Sequence, residues 1–379
     1  MIRRLLFGAA LLAPLSLACV AVDPHALPGT PGASVTPALG LEAVSSTRTP
    51  LLTSPAGTGV ALDFGPPVYS QQCFDEINAT PPPPRATPTP GLSPTPPPTA
   101  TFTPIPTATP GPAPAATTTP FPREAFVPIP LETDSGFADD LADILGDQAD
   151  SYAFIIKDLA TGRGAQHNVD QVFYAASVFK LFVMYEVFNQ QSQGRVAWDG
   201  QLVVTPYYDS FGLTPRRTEL CQVLSVAEAM NDMLSVSDNT AAVLLQDLVT
   251  SGAINSSLET LGIQTSGLFE DGLPVTAADL ALLLEAIARG ATVSRDASSD
   301  MLQLMTREEL DNGLEAGIPA GENVIVAHKT GNWDDATHDA GVVFAPFGTY
   351  LFVALSNTNH ETAVIKALST AAYNYFKDR

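Results

Sequence analysis

Residues 81–122 contain 17 of the 33 prolines of the chain, together with many threonines and a single charged residue, Arg85. This segment has too few apolar side chains to form a core, so it favours extended, polyproline-type, disordered structure. The chain is thereby divided into separate parts. The 256 residues from Glu124 to Arg379 have normal hydrophobic content and are numerous enough to bury a sizeable core. We therefore predict one domain at 123–379, after a disordered linker at 81–122.

Charge is concentrated in the C-terminal part. Five Lys/Arg balance five Asp/Glu before Glu124, whereas 13 Lys/Arg face 35 Asp/Glu from Glu124 onwards. The whole net charge of −22 thus belongs to the predicted domain. A surface this negative repels phosphate backbones, so nucleic-acid binding is not expected. The acidity is typical of an exported domain kept soluble by its charge.

The N-terminus has the pattern of an export signal. Met1–Arg4 gives a positive start, and an apolar run at 5–20 ends in small residues, which predicts a signal peptide at 1–21. Leu15-Ser16-Leu17-Ala18-Cys19 resembles a bacterial lipobox, in which Cys19 becomes lipidated after cleavage, although a small residue is more usual than Leu17. Ordinary cleavage a few residues later is the alternative. In both cases we expect an extracytoplasmic protein, secreted or lipid-anchored to the membrane.

The three cysteines are Cys19, Cys73 and Cys221. Residues 22–80 are rich in Pro, Gly, Ser and Thr, and we predict irregular structure there. If Cys19 is lipidated or removed, an oxidising compartment permits a Cys73–Cys221 bridge, which would join an island at 68–78 to the domain. Two free thiols are the alternative.

The domain has predicted strands at both ends and predicted helices between them. The strands are expected at 152–156, 165–169, 324–329, 341–345 and 350–356. The helices are expected at 136–149, 175–189, 229–234, 280–289, from Ser294 to 305, and at 362–376. This order predicts an α/β (α+β) fold, in which one antiparallel sheet formed by both ends of the domain is flanked by helices, with an all-helical lobe.

Three short motifs follow one another in the domain: Ser177-Val178-Phe179-Lys180, Ser237-Asp238-Asn239 and Lys329-Thr330-Gly331. A serine hydroxyl needs an adjacent base to act as a nucleophile. At helical spacing i and i+3, Lys180 shares a face with Ser177. Burial and neighbouring cations lower the pKa of a lysine towards that of a usable base. A lysine in this otherwise apolar helix is costly unless it has a function or a partner.

The three motifs in this order are the signature of class A β-lactamases and penicillin-binding proteins. With their contexts, Phe173–Ser177 and Met233–Ala242, the chain resembles a class A β-lactamase-like serine hydrolase over about residues 124–379. The resemblance implies a β-lactamase/transpeptidase-like fold. It implies that Ser177 is acylated, that Lys180 assists as base and that Ser237 passes the proton to the departing nitrogen. Asn239 would hold the amide side chain of the substrate, and Asp238 would cap the helix that starts at Thr240.

The third motif is expected to bind the remaining part of the substrate. Lys329 and Thr330 can bind a carboxylate by charge-assisted hydrogen bonds at the end of a strand. Gly331 would permit close approach of the substrate backbone. By the resemblance, the backbone N–H groups of Ser177 and Asn332 would form the oxyanion hole.

The chain departs from the family in the segment at 263–274, which is shorter than usual. The glutamate that activates the deacylating water, followed four residues later by an asparagine, has no clear counterpart, because position 274 is proline. Glu270 and Asp271 are the local carboxylates, and either could substitute. The alternative is a turn that carries exposed acids. Deacylation is therefore the step for which the sequence shows no clear catalytic group.

The carboxylate pocket also departs from the family, which often has an arginine on the strand after Lys-Thr-Gly. Here no arginine lies between Arg307 and Arg379, and His338 occupies the approach to that strand. His328, His338 and Asp339 fit no standard zinc spacing. We therefore expect neither a metal nor a cofactor.

The sequence as a whole predicts an exported, monomeric serine β-lactamase that opens the β-lactam amide and confers antibiotic resistance. A D-alanyl-D-alanine peptidase or esterase acting on cell-wall peptides is the alternative, because the same acyl-serine chemistry serves both. A non-catalytic wall-binding lipoprotein is the third possibility. A carboxylate close to Ser177 would favour the β-lactamase, and its lack would favour a slowly deacylating, penicillin-trapping protein.

Overall fold

The structure, a computed structural model, describes residues 64–78 and 126–379. The predicted signal peptide with Cys19, the first part of the N-terminal segment and the predicted linker at 81–122 lie outside the described residues.

The strands and helices that the sequence predicts for the domain all occur in the described chain, together with several that it did not predict. The strands are β1 Val68–Tyr69, β2 Glu132–Thr133, β3 Tyr152–Asp158, β4 Arg163–His167, β5 Phe173–Tyr174, β6 Gln201–Val203, β7 Gln222–Ser225, β8 Pro274–Val275, β9 Ile325–Trp333, β10 Ala336–Ala345 and β11 Gly348–Ser356. The helices are α1 Gln71–Asn78, α2 Ser135–Leu145, α3 Lys180–Ser192, α4 Pro206–Asp209, α5 Val226–Ser235, α6 Asn239–Val249, α7 Ser251–Leu261, α8 Ala277–Ala288, α9 Arg295–Met305 and α10 Thr362–Lys377. Short 3₁₀ turns lie at Gly146–Ser151, Ala176–Phe179 and Glu315–Gly317.

One six-stranded sheet, in the order β2-β4-β3-β11-β10-β9, organises the domain. All its neighbouring strands are antiparallel except β2 and β4. Strand β3 from the start of the domain pairs with β11 from its end, with Ile155 opposite Val353. The predicted fold class, a sheet formed by both ends of the domain and flanked by helices, is confirmed.

Both faces of the sheet are buried. Alternate side chains of each strand point to opposite sides, so a single strand contributes to two cores. In β11, Leu351, Val353 and Leu355 belong to the large core shared with the helical lobe. Tyr350 and Phe352 belong to a second core against α2 and α10. The described helices include none that is both long and apolar enough to cross a membrane.

The positions of two motifs within their helix or strand differ from the predicted positions. Ser177 lies in the 3₁₀ turn at 176–179, and the α-helix begins only at Lys180. Lys329-Thr330-Gly331 lies in the middle of β9, which runs on to Trp333, so the motif does not end its strand. The strand is longer than predicted because β10 continues to pair with it as far as Ala336 opposite Trp333.

The end of the N-terminal segment differs from the irregular structure expected for 22–80. Strand β1 pairs with β7, which extends a small sheet of order β1-β7-β6, and α1 follows directly. Cys73 in α1 is buried and forms a disulfide with Cys221, with 5.5 Å between the Cα atoms. Of the two alternatives left open by the sequence, the structure has the bridge.

Candidate active site

Ser177 and Lys180 are brought together by the 3₁₀ turn that precedes α3. A 3₁₀ helix has three residues per turn, so side chains at i and i+3 lie directly above one another. The Nζ of Lys180 is 3.1 Å from the Oγ of Ser177. Helix α3 is surrounded by core, and the Lys180 side chain is fully buried. The lysine is thus removed from bulk solvent.

The other contacts of Lys180 come from the second motif. Its Nζ lies 2.6 Å from the carbonyl oxygen and 3.0 Å from the Oγ of Ser237, and 2.7 Å from Oδ1 of Asn239. All of these oxygens are uncharged. Burial, followed by the nearby positive charge of Lys329, holds the pKa of Lys180 well below its usual value.

The hydrogen-bond geometry is consistent with a neutral Lys180. A neutral amine has two N–H groups and one lone pair. The Ser237 carbonyl and the Asn239 Oδ1 can only accept, so they take the two N–H groups. The lone pair remains for a hydroxyl proton, such as that of Ser177. This arrangement can activate a serine as a nucleophile.

The loop between α5 and α6 holds the second motif in a strained conformation. Ser237 has a φ of 59°, in the left-handed region that side chains other than glycine rarely adopt. Asp238, fully buried, caps α6 by accepting from the N–H of Ala241. Its carboxylate also accepts from the N–H groups of Arg217 and Thr218, contacts that the sequence did not predict. Asp238 therefore secures both Ser237 and the loop around 217–218.

Lys329 is the second fully buried lysine, and it is ion-paired with Glu308. Its Nζ also donates to the carbonyl oxygen of Thr330 at 3.2 Å. Glu308 lies beyond the end of α9. The pairing of Glu308 with Lys329 was not predicted, because no local pattern indicates which acidic residue faces a lysine 21 positions away.

Gly331 is required by the packing of the protein itself. A Cβ at this position would lie 3.1 Å from Val178 and 3.2 Å from the carbonyl oxygen of Ala175. The glycine therefore lets the turn that carries Ser177 pack closely against β9, in addition to any approach of a substrate. Thr330 is nearly buried, and the buried Oδ1 of Asn332 has no hydrogen-bond partner among the described residues.

The segment at 263–274 does not bring a carboxylate into hydrogen-bond contact with Ser177 or Lys180. Glu270 and Asp271 are exposed at the tip of a tight turn, closed by the N–H of Phe269 donating to Gly272 at 3.0 Å. The turn leads into β8, which pairs with β5. The carbonyl of Leu273 accepts a hydrogen bond from the N–H of Ala175 at 2.7 Å. The chain that follows the two acids thus bonds to Ala175 beside the Ser177 turn, but the acids themselves face solvent.

Two buried histidines flank the third motif, and their pKa values are shifted in opposite directions. His338 donates from Nε2 to the carbonyl of Tyr174 at 2.7 Å and accepts at Nδ1 from the N–H of Ser356. Burial lowers the pKa of His338 to about 4. Burial also disfavours charge on His328, but the carboxylates of Asp339, 2.8 Å away, Glu315 and Glu308 together outweigh it and raise the pKa of His328 to about 10.

These histidines serve structural contacts. His338, where the family often has an arginine, ties β10 to the strand that leads into Ser177. Within the ranges that the structure describes, no group of three or more His, Cys, Asp or Glu side chains converges as a metal site would require.

Comparisons with known proteins identify a family and similar folds. The sequence profile described as the β-lactamase enzyme family matches residues 136–376. No curated protein matches the sequence. Among solved structures, PBP-A has a TM-score of 0.61 at 22% identity, covering 67% of this chain and 100% of PBP-A.

Two further structures are similar over the same part of the chain. A leucine-to-glutamate mutant of PBP-A, described as an acyl-enzyme complex with penicillin G, has a TM-score of 0.60 at 23% identity and covers 66% of this chain and 99% of its own. The β-lactamase of Sphaerobacter thermophilus has a TM-score of 0.59 at 24% identity and covers 65% and 98%. At these identities the likeness shows the fold.

Proposed function

Since the chain belongs to the β-lactamase enzyme family, we propose that it is an exported serine hydrolase that opens the β-lactam amide through an acyl-enzyme on Ser177. The observation that carries the proposal is the buried amine of Lys180, whose Nζ lies 3.1 Å from the Oγ of Ser177. A lysine with a lowered pKa in that position is a general base for acylation.

In the proposed acylation, Lys180 takes the proton of Ser177 as Oγ attacks the carbonyl carbon of the lactam. The backbone N–H groups of Ser177 and Asn332 would stabilise the oxyanion. When the C–N bond breaks, the proton passes from Lys180 to the departing nitrogen by way of the Ser237 hydroxyl, which lies 3.0 Å from Nζ. The products are a serine ester and a free amine.

The remaining motif residues bind the substrate. Lys329 and Thr330 attract its carboxylate, and Asn239 binds the amide of its acyl side chain. The capture of penicillin G as an acyl-enzyme by the PBP-A mutant supports such chemistry on this fold. Antibiotic resistance is the biological consequence if the ester is also hydrolysed at a useful rate.

Peptidase or esterase activity on D-alanyl-D-alanine ends of cell-wall peptides is the second candidate. It is favoured by one observation, the solvent-facing positions of Glu270 and Asp271. Without a positioned carboxylate, the β-lactam ester would be hydrolysed slowly, as in a protein that traps penicillin. The hydrogen bonds of Lys180 argue against a third possibility, a wall-binding protein without catalysis.

Export is supported by the Cys73–Cys221 disulfide, because such bonds persist in oxidising compartments outside the cytoplasm. A lipid on Cys19 would hold the protein at the membrane surface. Globomycin, which blocks lipoprotein signal peptidase, would leave the mass and the membrane fraction unchanged if the protein is secreted by ordinary cleavage.

The proposed function is tested by acylation with a penicillin and peptide mass mapping. Ser177 should carry one acyl group, and Ser177→Ala should remain folded without being labelled. Ser192→Ala, at the exposed end of α3, is the matched control and should be labelled like the wild type. Labelling at another residue, or none in a folded protein, would overturn the assignment.

A further inference from the structure

Lys329 is paired with one acidic residue outside the three motifs. The Lys329 side chain is fully buried, so water does not stabilise its ammonium group. Among the described residues its one ion-pair partner is Glu308, whose side chain is also fully buried. The other acceptors are two uncharged oxygens of Thr330, the carbonyl at 3.2 Å and Oγ1 at 3.5 Å.

The contacts of Glu308 are confined to the Lys-Thr pair. Its Oε2 contacts the Nζ of Lys329 and is 3.4 Å from the N–H of Thr330, while its Oε1 has no hydrogen-bond partner in the described chain. A carboxylate that served to cap a helix or secure a loop would bond to that helix or loop. The carboxylate of Glu308 therefore acts on the Lys329-Thr330 pair and does not cap a helix or secure a loop.

The other charged groups around Lys329 cannot replace Glu308. On the side of Ser177, Lys180 supplies no negative charge, and Asp238 is engaged with Ala241 and the loop at 217–218. On the opposite face, His328 is paired with Asp339, and Glu315 lies 3.6 Å from His328. Each of these acids already has a partner.

A buried ammonium without a counter-ion favours its neutral form, and a neutral amine attracts a carboxylate far less strongly. We propose that Glu308 is a positioning residue whose carboxylate keeps Lys329 charged and oriented for the carboxylate of the substrate. The inference rests on the proposed function for the identity of that substrate. It assigns to an acidic residue a role in recognising an anion, which simple charge complementarity would not suggest.

The first arm of the test measures the charge of Lys329 directly, without a substrate. The chain has only five lysines, Lys157, Lys180, Lys329, Lys366 and Lys377, so NMR of lysine labelled with ¹³C at Cε is tractable. In Glu308→Gln, which is nearly isosteric, the Lys329 signal should titrate at lower pH than in the wild type. Glu308→Asp, which retains the charge, should restore the wild-type titration. An unchanged Lys329 titration in Glu308→Gln would overturn the proposal.

The second arm compares acylation by a penicillin and by its methyl ester, which lacks the carboxylate. Glu308→Gln should lower kcat/KM for the acid by about tenfold or more, the loss expected for a charge-assisted hydrogen bond, and increasingly so as pH rises. The ester should react at nearly the wild-type rate, and Glu308→Asp should recover the acid. Equal losses for acid and ester would indicate a merely structural role and overturn the proposal.

The two arms separate this inference from the proposed function. If neither the acid nor the ester acylates the wild-type protein, the proposed function fails, while the lysine titration still decides the role of Glu308. Glu309→Gln is the matched control. Glu309 is adjacent in sequence but pairs with Arg217 at the surface, so its substitution should change neither readout.

Discussion

Lys180 and Lys329 are the same residue type in the same state of burial, yet their partners give them different chemistry. Lys329 has a carboxylate partner, which favours the cation. The four hydrogen-bond partners of Lys180 are uncharged oxygens, which leave the neutral amine favoured. In the proposed mechanism, two lysines side by side thus serve as a base and as an anion-binding cation.

The rate of acylation should therefore fall as pH falls through the lowered pKa of Lys180, because the protonated amine has no lone pair for the Ser177 proton. Lys180→Arg, charged at all accessible pH values, should lower acylation by roughly 10²–10⁴-fold, the usual contribution of a general base. Acyl-enzyme formation followed by mass spectrometry across pH measures both effects. The exposed Lys366→Arg should behave as wild type. A Lys180→Arg variant that is acylated normally would exclude Lys180 as the base.

At the scale of the elements, β9 and β10 carry two histidines that make stability depend on pH in opposite directions. His328 has a folded-state pKa of about 10, above the ordinary 6.5, so its stabilisation is present below about pH 6.5 and is lost as pH rises to about 10. His338 has a folded-state pKa of about 4. The unfolded chain binds its proton first, so stability is lost as pH falls from about 6.5 to about 4.

The loss due to His338 should be on the order of 3 kcal/mol, since each unit of pKa difference corresponds to about 1.4 kcal/mol. Urea unfolding at several pH values should show a slope on the acid side that is reduced in His338→Gln. A reduced slope on the alkaline side is expected in His328→Asn. Substitution of the exposed His360 by Gln should change neither slope. An acid slope that persists unchanged in His338→Gln would contradict the neutral, doubly bonded state of this residue.

We expect the segment at 263–274 to limit turnover. Hydrolysis of the acyl-serine needs a water activated by a group within hydrogen-bond reach, and Glu270 and Asp271 face solvent instead. We expect a burst of β-lactam consumption equal to the enzyme concentration, followed by a slow steady state. Stopped-flow absorbance with acyl-enzyme mass measures both phases.

Two neutral variants, Glu270→Gln and Asp271→Asn, test whether either acid contributes to this slow phase. Both should leave the burst unchanged, since neither contacts Ser177 or Lys180. If one of them stalls the acyl-enzyme, that residue moves into the site when the substrate is bound. Fast turnover without a burst in the wild type would mean that another group, such as Lys180, activates the water.

Local patterns in the sequence predicted most of the elements, because they are local in origin. Thr276 and Ser294 cap α8 and α9 through their side chains, as their positions before the helices indicate. The exact start of α3 was not predictable. The 3₁₀ turn at 176–179 depends on Ala176 with a φ of 44° and on close packing against β9, which are tertiary effects.

At the scale of the whole molecule, the order of strands and helices was enough to predict the sheet formed by both ends of the domain. The three motifs also gave the residues that meet at the centre of the site. The sequence could not give contacts between distant residues that share no pattern, namely Glu308 with Lys329, Asp238 with the loop at 217–218, and the choice between a bridge and free thiols for Cys73 and Cys221. These contacts are set by the folded chain as a whole.

The disulfide attaches residues 64–78 to the domain, whose two main cores contain no residue from that island. A chain that begins near Arg123 should therefore fold and be acylated at Ser177. It should nevertheless be less stable than the full chain, because the full chain keeps β1 on β7 and the bridge.

Reduction, or Cys73→Ser, should lower the free energy of unfolding by about 2–5 kcal/mol, the usual effect of losing a native disulfide. Acylation of Ser177 should persist, because the groups around Lys180 come from α3 and from the α5–α6 loop. Cys19→Ser is the matched control and should leave the melting temperature unchanged. Thermal unfolding with and without reductant, together with a thiol count, measures this effect.

A melting temperature that does not respond to reductant would mean that the island at 64–78 adds nothing to the stability of the domain. Loss of acylation upon reduction would mean instead that the bridge, through the loop at 217–218 and Asp238, holds Ser237 in its strained conformation.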